Sequence, residues 1–196
     1  MVRPLLVIGG LTALAAIASD AQAQDRRGFW IGFGVSAGSG SCTQIDPLGD
    51  PRCSTARKLG PSGYVSAGGT MSQQVILGVE LNGWMSSSPD TVRQYGVISA
   101  IVQAFPSRNL PLYVKGGLGV GRYAEDSEGE SLLSAAGFSY LIGAGMEIPL
   151  RRSMALTPFV HFVLAPQMRA KLGRLNDLQD PLDYNLLHLG IGVHWR

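Results

Sequence analysis

The chain has 196 residues, room for one domain or for a barrel with loops. Its formal net charge is +2 and only 15% of its residues are charged, which excludes the strongly basic surface of a nucleic-acid binder. Glycine is abundant (26 residues), and beyond the N-terminal stretch no apolar run reaches the roughly 18 residues a spanning helix needs, so the many short apolar runs indicate an all-β chain.

The N-terminus has the organisation of a targeting segment. Arg3 supplies a positive region, residues 5–18 are mostly apolar, and Ala21-Gln22-Ala23 is an A-x-A cleavage site. Residues 1–23 are therefore predicted to be a signal peptide and residues 24–196 the mature domain. An uncleaved anchor helix is disfavoured, because the apolar region is short and a good cleavage site follows it. Export implies an oxidising compartment, so Cys42 and Cys53 are expected to form a disulfide closing a small loop. With no histidine in that loop, the pair is a poor metal site.

From Gly28 onward apolar residues alternate between turn signals. The first strand sets Phe29, Ile31, Phe33, Val35 and Ala37 against Trp30, Gly32, Gly34 and Ser36. A polar segment from about Ser39 to Gly60 follows. A weaker second strand places Val65, Ala67, Gly69 and Met71 on one face, and Ser72-Gln73-Gln74 turns the chain. The third strand puts Val75, Leu77, Val79, Leu81 and Met85 opposite Gly78, Glu80, Asn82 and Trp84. In the fourth, about Thr91 to Phe105, Ile98, Ala100, Val102 and Ala104 are assigned outward, and Tyr95, Ser99 and Gln103 inward. The fifth opposes Leu112, Val114, Leu118 and Val120 to Tyr113, Lys115 and the glycines at 117, 119 and 121. An acidic loop is expected from Glu125 to Ser131. The sixth strand has Phe138, Tyr140, Ile142, Ala144, Met146 and Ile148 outward, with Ser139, Gly143, Gly145 and Glu147 inward. The seventh sets Leu156, Val160, Phe162 and Leu164 against Thr157, Phe159, His161 and Val163. A loop from about Pro166 to Tyr184 leads to the last strand, Leu186 to Arg196, where Leu187, Leu189, Ile191, Val193 and Trp195 share one face.

These eight strands suit an antiparallel, up-and-down transmembrane β-barrel. Longer connections follow the odd strands and short turns the even ones, which puts long loops on one rim and both termini on the other. In lipid every backbone N–H and C=O must pair within the protein, and a closed sheet achieves this without an edge. The aliphatic parity is assigned to lipid, with Leu77, Val79, Leu118, Val120, Ile142 and Ile191 as its markers.

Three segments, Tyr113 to Arg122, Gly143 to Leu150 and Gly190 to Arg196, carry a resemblance. With them the chain resembles the small eight-stranded outer-membrane barrels of the OmpA/OmpX type over about Phe29 to Arg196. The resemblance implies a monomer in the outer membrane of a Gram-negative-type bacterium, surrounded by lipid and lipopolysaccharide. It implies no cofactor, and roles in envelope integrity or adhesion exercised through extracellular loops on an unidentified ligand. It also implies Trp195 as the aromatic signal read by the barrel-assembly machinery, although Arg196 follows it, and no peptidoglycan-binding domain. Inward acids and bases pair across the lumen of such barrels, so Lys115 is expected to pair with Glu147, with Glu80 as the other candidate. Arg93, Arg196, Tyr113 and Asn82 are possible further partners.

Candidate chemistry is sparse. An eight-stranded barrel is only wide enough for side chains, so the lumen charges read as a salt-bridge plug rather than a pore or a catalytic carboxylate. His161, His188 and His194 face inward on the last two strands, but His188 and His194 lie nearly 20 Å apart along their strand, too far to share one metal. Lumenal hydrogen bonding is the simpler role. Some barrels of this size modify lipid A; the deacylases carry His-x-Ser, whereas here Val163 stands two residues after His161. Gly28-Phe29-Trp30 matches the G-x-W of lipocalins, soluble ligand carriers, but a lipocalin needs the opposite polarity, an apolar lumen and a polar exterior. Between the last two strands Arg169, Lys171 and Arg174 have the chemistry to contact lipopolysaccharide phosphates at the outer rim, the alternative being a solvated loop. The acids after them, Asp177, Asp180 and Asp183, lack the alternate-residue spacing of a calcium loop.

The cysteine reading is tested by counting thiols on protein recovered after export. None should react until reductant is added, and the bridge should contribute about 2–3 kcal/mol to loop order without being required for the barrel. Two reactive thiols in the exported protein would exclude it.

Overall fold

The computed structural model describes residues 28–43, 56–107, 110–127, 130–172 and 181–196. The predicted signal peptide, Cys53 and Arg174 lie outside the described residues. The elements are β1 (Phe29–Thr43), β2 (Lys58–Ser72), β3 (Val75–Ser88), β4 (Thr91–Ala104), β5 (Leu112–Ser127), β6 (Glu130–Met146), β7 (Ile148–Arg151), β8 (Met154–Leu172) and β9 (Leu182–Trp195). Short β7 continues β6 past Glu147 and pairs with the start of β8, so the nine elements form eight wall strands.

Each strand is antiparallel to the next. The ring closes where β1 pairs with β9, from Ile31↔Trp195 to Thr43↔Asp183, and where β6 pairs with β8. No strand edge is left, which is what hydrocarbon surroundings demand. Gln73-Gln74, the turn from β4 to β5 and the turn from β7 to β8 lie at the same end as Gly28 and Arg196. The strand ends flanking residues 44–57 and 173–181 lie at the other end.

Parity decides which way side chains face. Leu77, Val79, Leu118, Val120, Ile142 and Ile191 are 38–65% exposed, as the sequence predicts. Lys115, Glu80, Gln103 and all three histidines are buried on the opposite parity. A soluble carrier would show the reverse arrangement. One predicted lipid-facing residue is covered: Met146 is only 9% exposed. It pairs with Leu112 at the foot of β6, a corner closed by the hydrogen bond from Glu147 N–H to the Pro111 carbonyl at 2.8 Å.

The strands run further toward the loop end than apolar alternation shows. β8 has 19 residues, about twice what crossing hydrocarbon requires. The expected acidic loop is largely strand, since Glu125 to Ser127 end β5 and β6 begins at Glu130. Above the hydrocarbon, polar side chains meet water on the outer face, so the hydrophobic period vanishes while backbone pairing continues.

The stretch expected as a loop after Pro166 contains a bulge. The β8–β9 register shifts between Ala165 and Met168, and Gln167 has φ 52°. Its N–H donates to Asp183 Oδ1 at 2.7 Å, which holds this left-handed residue in place. Pro166 and Gln167 are both exposed, so parity inverts: Ala165 is buried at an odd position, Met168 and Ala170 at even ones. Arg169 and Lys171 therefore lie on a strand and point outward. This corrects the expectation that they belong to a loop, and Asp183, expected in the same loop, is part of β9.

Placing arginine at Leu118 or Ile142, in the middle of the apolar band, should cost about 2–4 kcal/mol in urea unfolding from lipid vesicles, and the same change at Met85 near the rim much less. Equal costs at the three positions would mean that the exposed face does not meet lipid.

Candidate functional site

The barrel interior is the one place where charged residues are brought together and removed from solvent, and side chains fill it in three levels. Glycines on the inward parity make this possible. A Cβ at Gly143 would strike the His161 ring, and one at Gly145 the Tyr113 hydroxyl, so the bulky groups occupy space those positions leave free.

At the middle level Lys115 Nζ meets Glu80 Oε2 at 2.6 Å, both side chains 0% exposed. Asn82 Nδ2 donates to the other carboxylate oxygen at 3.1 Å. The ammonium also stands 4.9 Å from the Tyr64 ring centre and 5.8 Å from that of Tyr113, close enough for cation–π attraction. Tyr64 packs edge-on against Phe159 at 5.0 Å, and Phe159 lies 4.5 Å from His161. His161 Nδ1 is 3.7 Å from Glu80, beyond hydrogen-bond reach. A buried charge is tolerated only where partners surround it, and this lysine has them.

At the end of the barrel that holds Arg196 a second set forms. Arg196 Nη2 donates to Glu147 Oε1 at 2.5 Å, and His194 Nδ1 lies 3.1 Å from the same oxygen. Trp30 and Tyr113 flank His194 at ring distances of 5.4 and 6.3 Å. Glu147 lies at the junction where β7 continues β6. At the loop end Trp84, Tyr95, Tyr123 and Tyr184 close the lumen, with Tyr95 stacked on Tyr184 at 4.4 Å. Arg93 binds Glu125 there at 2.9 Å, and the Tyr123 hydroxyl donates to the second Glu125 oxygen at 2.8 Å.

The expected pair Lys115–Glu147 is not formed. Lys115 is in register with Gly143, four positions before Glu147, roughly 13 Å along the strand. Its ammonium crosses instead to Glu80, two strands away. Of the suggested further partners, Asn82 joins Glu80, Arg196 joins Glu147, the Tyr113 ring faces Lys115, and Arg93 pairs elsewhere. Glu125 was missed because it was assigned to a loop. It shares the parity of Tyr113 and Lys115, so continuing β5 by one turn of the alternation would have placed it.

His161, His188 and His194 do not converge. His188 Nδ1 is 2.9 Å from Ser62 Oγ, at a different level from the Glu147 set. Among the described residues no three His, Cys, Asp or Glu side chains stand close enough to hold a metal. The interior therefore carries packed side chains and paired charge, with Glu80, Gln103, Lys115 and His161 all buried at the middle level. Cys42 is buried near the top of β1. Trp195 is exposed at the same end of the barrel as Arg196.

No protein-family model and no curated protein matches the sequence. Solved structures do match the fold. Neisserial surface protein A aligns with TM-score 0.63 and 15% identity over 85% of this chain and 96% of its own. Ail, the attachment invasion locus protein of Yersinia pestis, aligns at 0.51 with 14% identity, over 87% of this chain and 99% of its own. The outer membrane protein OprG from Pseudomonas aeruginosa aligns at 0.50 with 15% identity, over 89% of this chain and 100% of its own. The chain thus has the fold of the small eight-stranded outer-membrane barrels.

A prediction follows from the charge sets. Lys115→Met leaves Glu80 buried and should cost roughly 3–5 kcal/mol in urea unfolding from micelles. Lys115→Met with Glu80→Gln should recover part of that loss, while Lys115→Met with Glu147→Gln should be additive; coupling to Glu147 instead would overturn the assignment.

Proposed function

We propose that this chain is an outer-membrane barrel that acts through its extracellular end, in surface interaction or envelope integrity, rather than by catalysis or conduction. The observation that carries this reading is the filled lumen beneath strands that continue well past the apolar band. A wall strand such as β8 spends only about half its residues crossing hydrocarbon; the remainder builds a collar whose strand ends flank residues 44–57 and 173–181. Rigid scaffolds carrying connecting segments at one end are a common arrangement for recognition.

The other readings draw less support. A lipid A-modifying enzyme needs a nucleophile and base at the lipid boundary, whereas all three histidines are inside. A porin needs an open lumen, and Glu80, Lys115 and Gln103 close this one. The partners that fit the proposed role are outer-membrane lipid, the assembly machinery reading Trp195, and a ligand of the extracellular segments.

Replacing residues 44–57 and 173–181 with short turns tests the reading. The shortened protein should still fractionate with the outer membrane and keep heat-modifiable gel mobility. It should fail to restore detergent resistance or surface binding to cells lacking the gene, whereas the full chain restores them. Full restoration by the shortened barrel would move the function away from the loops. Steady conductance of the wild type in planar bilayers, or an altered lipid A mass in cells expressing it, would favour a pore or an enzyme.

A further inference from the structure

The β8 bulge has a consequence on the outside of the wall. Arg169, turned outward by the parity inversion, is in register with Ala136 of β6, and Ala136 is in register with Arg122 of β5. The two arginines thus flank an exposed alanine in one row, their backbones about 10 Å apart. Both are exposed. Neither makes an ion pair or hydrogen bond among the described residues, whereas Arg93, Lys115 and Arg196 each have a carboxylate partner.

Their depth matters. The outward residues of β5 are Leu112, Val114, Gly116, Leu118 and Val120 before Arg122 is reached. From Leu112 to Arg122 is roughly 33 Å along the strand, or about 25 Å along the barrel axis at the usual tilt, which is the height of an apolar band. Arg122 and Arg169 therefore sit where hydrocarbon gives way to headgroups. An open groove of about 1050 Å³ takes in this row and extends below it, with walls formed by Ile98, Val120, Phe138 and Tyr140, and Gly96, in register with Arg122, adds no side chain to its floor.

We propose that this groove holds a phosphorylated lipid of the outer leaflet, with its phosphate between Arg122 and Arg169 and an acyl chain lying below. The inference rests on the outer-membrane reading above. Two exposed guanidinium groups without a protein partner at a lipid boundary favour an anion, and the anion abundant at that depth is headgroup phosphate. The planar guanidinium suits phosphate bidentately, and the long side chains can converge across Ala136, which has nothing to obstruct them. The apolar groove and the cationic rim together match one amphiphile. A free anion would have no use for the groove, and an apolar ligand none for the arginines.

Native mass spectrometry of the purified full chain in dodecyl maltoside, titrated with diphosphoryl lipid A, tests this. The wild type should retain one lipid. Arg122→Gln and Arg169→Gln should each weaken binding roughly tenfold and the double variant about a hundredfold. Ala136→Glu, which offers a competing carboxylate between the arginines, should also lose at least about tenfold and serves if the double variant does not fold. Gel mobility before heating reports folding in every case. Inorganic phosphate at equal concentration should not displace the lipid. The proposal is overturned if the folded double variant or Ala136→Glu binds within twofold of wild type. It is also overturned if dephosphorylated lipid A binds equally well, or if inorganic phosphate competes. These variants leave the extracellular segments intact, so their failure is distinguishable from failure of the loop replacement.

Discussion

Closure of the backbone hydrogen-bond ladder is the constraint on which everything else in this molecule depends. Hydrocarbon offers no partner to an N–H or a C=O, so the wall must satisfy each from within. The β1–β9 and β6–β8 pairings complete that ring. Once it is closed, each residue has only two destinations, lipid or lumen, and strict alternation assigns them. Few other folds derive the environment of a side chain so directly from its position number.

The same closure creates the difficulty the interior must solve. Eight strands enclose a space too narrow for bulk water and wide enough for side chains. Charges there have to be paired or omitted. This chain pairs them at separate levels: Glu80 with Lys115 in the middle, Glu147 with Arg196 and His194 at the foot, Arg93 with Glu125 at the mouth. Aromatic rings fill the gaps between these levels, and inward glycines accept them. Stability and the packing of the lumen are then linked, since removing one member of a buried set would leave a charge without its partner.

Departures from regularity lie where the environment changes. The β6 strand breaks at Glu147, at the end of the barrel that holds Arg196, before β7 resumes the wall. The β8 bulge at Pro166 and Gln167 lies toward the opposite boundary and turns two basic residues outward. A bulge in the middle of the band would leave backbone groups facing hydrocarbon; near headgroups and water the cost falls away. The positions of the irregularities therefore mark the edges of the band as clearly as the exposed leucines and valines mark its middle.

The sequence by itself determined the fold class, the number of wall strands, which end bears the long connections and which parity meets lipid. These are local properties: a period of two and the turn residues that interrupt it are visible in any short window. It did not reveal how far the strands climb, because polar residues in water-facing wall carry no hydrophobic period. Only the tertiary structure decided that Lys115 meets Glu80 and not Glu147, because partners across a barrel are chosen by strand tilt and stagger, which exist only after closure. Only it decided that Arg169 points outward, because one extra residue near Gln167 inverts the parity of everything beyond it. That inversion depends on the register with β9, which no stretch of β8 contains.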